Sequence, residues 1–171
     1  MVQALEPKWQ RITSSENKSS MTTVPIPVQI KFLAEDFPKG EVKSQTLRRL
    51  KWEMDIVPTP NSSTYRIRID YTIGTPPKVY VIEPAVLKKA DGSTLLPHVF
   101  DTEKQRLCLF YGRFGEWDAS MFLSRTIVPW ASEWLNFYEL WVITGEWLGE
   151  GIGHSRKTPF IKKDSEEEKG H

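Results

Sequence analysis

Two stretches of strict alternation limit what this chain can fold into. Leu50, Trp52, Met54 and Ile56 alternate with Lys51, Glu53 and Asp55, and Tyr65, Ile67, Ile69 and Tyr71 alternate with Arg66, Arg68 and Asp70. A period of two puts every apolar side chain on one face of an extended chain, so both segments read as half-buried strands. VPTPNSS (57–63) stops the first, and the break IGTPP (73–77) leads from the second into KVYVIEP (78–84), a short apolar strand ended by Pro84. Short connections rich in Pro, Gly, Asn and Ser make these three strands an antiparallel meander.

Helical periods flank the meander. In PIPVQIKFLAEDF (25–37), Ile26, Ile30, Leu33 and Phe37 recur at three- and four-residue steps, and Pro38 closes the run, which predicts a short amphipathic helix. From Asp118 to about Ile143 the chain is rich in apolar and aromatic residues, with Asp118 or Ser120 available to cap its start. Pro129 is expected to break or kink that run near Val128, and Gly145, Gly149, Gly151 and Gly153 end it. Trp130, Trp134, Phe137, Tyr138, Trp141 and Trp147 fall mostly at helical spacing. Such a stripe is core first, with ring area to spare for a partner. Between the two halves, residues 85–105 show no period, and LCLFY (107–111) is strand-like. The predicted fold class is α+β: an antiparallel meander sheet flanked by an N-terminal helix and C-terminal helices.

Composition excludes several functions. The 23 Lys+Arg against 22 Asp+Glu leave a net charge of +1, which argues against a phosphate-driven nucleic-acid binder. One cysteine cannot close an internal disulfide, and no apolar run approaches the roughly 20 residues that span a bilayer. With no basic, apolar leader at the start, a cytoplasmic domain free of membrane is expected. Three histidines and one cysteine at scattered positions give no zinc spacing, and no glycine-rich phosphate loop appears, so neither metal nor cofactor is expected. Residues 1–22 are polar and Ser-rich, with Met1 and Met21 both possible starts, and 154–171 carry segregated charge. Both are expected to be disordered, leaving one domain over 23–153.

Cys108 lies between Leu107 and Leu109. On residue type alone it fits two readings: a small core hydrophobe, or a nucleophile at the end of an irregular segment. His98 precedes it by ten positions, and fits either a structural loop histidine or a group that handles protons.

The order of landmarks resembles the ubiquitin-conjugating enzymes. YTIGTPPKVYVIEP (71–84) is similar to that family's YPxxPPxV segment. PHVF (97–100) is similar to its HPN motif, LCL (107–109) to the ICL that carries the catalytic cysteine, and WDA (117–119) to the WSP that opens the next helix. WEMDIVP (52–58) followed by NSSTYRIRI (61–69) matches the family's first strand pair, so the likeness runs over about residues 25–145 in order. Val99 and Phe100 stand where Pro and Asn would follow the His, so the Asn associated with oxyanion stabilisation is missing. The last family helices give way to WASEWLNFYELWVITGEWLGEG (130–151), which is similar to the compact bacterial form encoded in short type II CBASS anti-phage operons.

That resemblance implies a thioester transferase in which Cys108 captures the C-terminus of a companion cGAS-like nucleotidyltransferase. His98 would order the loop or assist proton transfer. Supporting roles fall to Asp101 as a substitute polar group, to Trp117 as an anchor beside the loop, and to His154 if it folds back towards the thiol. Two alternatives stand beside this one: a non-catalytic binding module of the same fold, and a hydrolase built on a Cys108–His98 dyad.

Overall fold

The computed structural model describes residues 22–110 and 115–149. His154, the N-terminal segment through Met21 and the charged tail lie outside the described residues.

Helix α1 spans Ile26–Asp36, with Pro25 as N-cap and Pro27 in the first turn, where a missing N–H costs no hydrogen bond. Ile26 and Leu33 are buried as the period requires, whereas Ile30 and Phe37 are only partly covered. Gln29 is the unexpected member of the buried face. Its Nε2 donates to the Met121 carbonyl at 2.8 Å and its Oε1 accepts from the Leu123 N–H at 2.9 Å. A fully buried amide is tolerated because both its ends are satisfied.

Six strands follow in a single sheet: β1 (Glu41–Gln45), β2 (Arg49–Ile56), β3 (Tyr65–Thr72), β4 (Lys78–Glu83), β5 (Val99–Asp101) and β6 (Arg106–Leu107). Their spatial order is β1-β2-β3-β4-β6-β5, antiparallel throughout. β2 and β3 pair in unbroken register from Arg49 opposite Thr72 to Ile56 opposite Tyr65, as the alternation predicts. Leu50, Trp52, Ile67, Ile69 and Tyr71 therefore share one buried face. The opposite face is charged: Arg66 lies within 3.3 Å of carboxylate oxygens of Glu41, Glu53 and Asp55. The meander is longer than the sequence indicates, because β1, exposed at every position, adds an edge strand with no apolar signature.

The second half departs from expectation in its helix. The chain from Asp118 makes turns and a 3-10 turn at Leu123–Arg125, and only then enters α2, Ile127–Thr144. Asp118 does not cap the helix; its carboxylate accepts from the Ser120 N–H at 2.7 Å and from the Ser120 hydroxyl. Pro129 neither breaks nor kinks α2, because it occupies the first turn, where its N–H would be unpaired anyway. Among the described residues one α-helix follows the sheet. α2 lays Ile127, Ala131, Trp134, Leu135 and Tyr138 into the core, with Tyr138 edge-on to Tyr65 at 6.0 Å between ring centroids. Gly145 ends it in the left-handed conformation (φ 75°), its N–H bonded to the Trp141 carbonyl at 2.8 Å.

Candidate active site

The candidate thiol is carried by a small hairpin at the edge of the sheet. β5 and β6 pair with Val99 opposite Leu107 and Asp101 opposite Arg106, and β6 joins the meander through Tyr80 opposite Arg106. The connection is closed by Asp101, which accepts the Lys104 N–H at 2.9 Å, and by Gln105, whose N–H reaches the Thr102 carbonyl at 3.3 Å.

Gln105 fixes this hairpin to the body of the protein. It is buried and sits in left-handed backbone at φ 52°. Its Nε2 donates to the carbonyls of Val81 (2.9 Å) and Pro84 (3.1 Å), and its Oε1 accepts the Leu87 N–H. One amide thus holds the end of β4, the irregular segment after it and the start of β6 together. The same segment is tied to α2 where the Tyr138 hydroxyl donates to the Lys88 carbonyl at 2.8 Å. Burial pushes that hydroxyl's pKa up to about 12.

Cys108 follows β6 directly and is partly buried, between the buried Leu107 and Leu109. Its N–H donates to the carbonyl of His98 at 3.0 Å. The same carbonyl accepts the Trp134 indole N–H at 2.9 Å. His98 is itself in left-handed backbone at φ 48°, and its imidazole stacks on Trp147 with centroids 4.9 Å apart and planes 25° apart. The two residues singled out as catalytic are therefore joined through the main chain, ten positions apart in sequence.

Asp101 and Trp117 have partners of their own. Asp101 is committed to its own turn: the Lys104 N–H holds its carboxyl below the usual carboxylate range, and the Lys104 ammonium lies 3.6 Å away. Trp117 is buried, edge-on to Tyr71 at 5.6 Å and tilted against Phe110 at 6.1 Å, which is the packing of a core anchor. In place of the Asn of the resembled motif, Phe100 is exposed and carries the Arg106 guanidinium 4.6 Å over its ring.

Sequence reasoning missed Gln105, Trp134 and Trp147 as parts of this site. The two tryptophans belong to the aromatic stripe and carry no local sign of their partners. Gln105 reads as an ordinary polar loop residue. Among the described residues no group of three or more His, Cys, Asp or Glu side chains could hold a metal ion, and no helix is long and apolar enough to cross a membrane.

A comparison with curated proteins gives no significant match. The family profile described as type II CBASS E2 protein matches residues 29–155, which take in most of α1, all six strands, the Cys108 hairpin and α2. A match over well over half of the chain means that the protein belongs to the type II CBASS E2 family and has a ubiquitin-conjugating-enzyme-like role in CBASS defence.

Proposed function

We propose that Cys108 is the acyl carrier of a thioester transferase whose donor is the C-terminus of a companion cGAS-like nucleotidyltransferase. The observation that carries this reading is the placement of a partly buried cysteine directly after β6, its amide bonded to the His98 carbonyl. The donor must arrive activated, as an acyl adenylate or a thioester, because a free carboxylate does not accept a thiolate. Sγ attacks the carbonyl carbon, the C–S bond forms, and the bond to the phosphate or carrier sulfur breaks with its electron pair. An amine then attacks the new thioester: the C–N bond forms, the C–S bond breaks and the thiolate is regenerated. His98 serves the loop through its carbonyl, and its imidazole is the candidate to take the proton. Asp101, Trp117 and His154 are left with no more than supporting parts.

Intact-mass analysis of the native protein and Cys108→Ala, each with the candidate nucleotidyltransferase and an activated donor, tests this. A thiol-labile adduct that needs both Cys108 and the partner's terminal residue supports transfer. Partner binding that is identical in the two forms, without an adduct, points to a binding module. Cleavage without an adduct, lost in His98→Ala, points to a hydrolase.

A further inference from the structure

We propose that Trp147 is a positioning residue of the Cys108 site, holding the His98 imidazole by its ring face; the catalytic part of this claim rests on the thioester reading above. Trp147 lies beyond the end of α2, where the left-handed Gly145 turns the chain back. The returning segment lays the indole on the His98 ring at 4.9 Å, against Trp134 at 5.5 Å and Phe137 at 6.1 Å. The fit continues to Gly149, where a Cβ would fall 2.7 Å from Phe137 ring carbons and 2.9 Å from the Trp147 Nε1.

The indole N–H does not account for this placement. Among the described residues the Trp147 Nε1 is buried with no hydrogen-bond acceptor, which counts against the position. What holds the residue there is the contact of its faces.

His98 is thus gripped at two points by two tryptophans. Trp134 binds the carbonyl, and Trp147 covers the ring. The grip matters because a non-glycine residue at φ 48° sits in strained backbone that persists only where its surroundings enforce it. The carbonyl so oriented is the one that accepts the Cys108 N–H. Releasing the ring therefore loosens both the imidazole and the turn that presents the sulfur.

Trp147→Phe and Trp147→Leu separate ring face from bulk, because only Phe keeps a flat surface for the imidazole. Three readouts are compared in the full chain: the upfield ring-current shift of the His98 ring protons, hydrogen exchange of the Cys108 amide, and the rate of adduct formation at saturating activated donor. Phe is expected to stay near native in all three. Leu is expected to lose the ring-current shift, to exchange the Cys108 amide up to about tenfold faster, and to slow adduct formation tenfold or more with half-saturation unchanged. Equal behaviour of Phe and Leu in amide exchange and adduct rate overturns the inference, since volume alone would then suffice. If the native protein forms no adduct, the relay reading fails, yet the ring shift and the amide exchange still decide whether Trp147 positions His98.

Discussion

Gln105→Met tests how much of the site's rigidity comes from one buried amide. Methionine matches glutamine in length and volume and tolerates burial, so cavity and overpacking terms stay small. What disappears is the set of three bonds: two donated to the Val81 and Pro84 carbonyls and one accepted from the Leu87 N–H. The Leu87 N–H belongs to a residue that is 2% exposed and is left without a partner, at roughly 1–3 kcal/mol. Pro84 is exposed and its carbonyl can turn to water, so the two carbonyls together add roughly 1–2 kcal/mol. The sum, roughly 2–5 kcal/mol, is a large fraction of the 5–15 kcal/mol typical of a domain. In urea titration followed by tryptophan fluorescence, the midpoint is expected to fall by about 1–2 M with an unchanged slope. Alkylation of Cys108 by iodoacetamide is expected to speed up under native conditions, since the hairpin that presents it is loosened three residues upstream. A midpoint within about 0.3 M of native would show that the Gln105 amide is not the bolt described here.

Other perturbations have equally definite outcomes. Trp134→Phe keeps an aromatic ring but removes the N–H that reaches the His98 carbonyl and part of a buried side chain, so at least about 1 kcal/mol of stability is expected to be lost in urea titration, together with a slower adduct rate. Gly40→Ala would place a Cβ 2.1 Å from the ring of the fully buried Trp52; a loss of about 3 kcal/mol and a shifted tryptophan emission are expected, whereas Gly74→Ala, with open space around its Cβ, is strained only by its φ of 85° and loses less. The tyrosine hydroxyls set the alkaline limit. Burial holds the Tyr138 hydroxyl at about 12, and burial with the Glu139 carboxylate 2.8 Å away raises that of Tyr65, so the folded state favours the protonated form of both. That stability is complete below the unfolded value near 10 and is lost as pH rises through the folded values, at most roughly 3 kcal/mol from Tyr138 by pH 12. Urea midpoints measured from pH 9 to pH 12 should fall steeply, and less so in Tyr138→Phe.

The parts of this fold written in the sequence are those whose physics is local. β2 and β3 are legible because one face of each meets the core at every second residue, and the turn between them leaves no choice of partner. β1 is not, because an edge strand needs only main-chain bonds on one side, and EVKSQ buries nothing that would force an alternation. The start of α2 at Ile127 is hidden for an opposite reason: the run from Asp118 to Thr126 is apolar enough to look helical, but its polar groups close turns instead. Cys108 and His98 could be named from spacing and from a family likeness. The Trp147 ring that covers His98 could not, since 49 residues separate them and only the turn at Gly145 brings them together.

Strain and restraint coincide at this hairpin. Among the described residues, the non-glycine positions with positive φ are His98 and Gln105, and they stand directly before β5 and before β6. Each costs on the order of 1 kcal/mol or more, and each is held by a different device: an amide with three backbone partners at Gln105, two tryptophans at His98. A glycine at either position would relieve the backbone at once. It would also delete the side chain that ties the hairpin to β4 or stacks beneath Trp147, so the gain in local comfort would come with a loose end on the strand that ends in Cys108. On the thioester reading proposed above, the double restraint fixes the chain direction just before and across from the sulfur, which is what presenting an acyl carrier in one geometry requires.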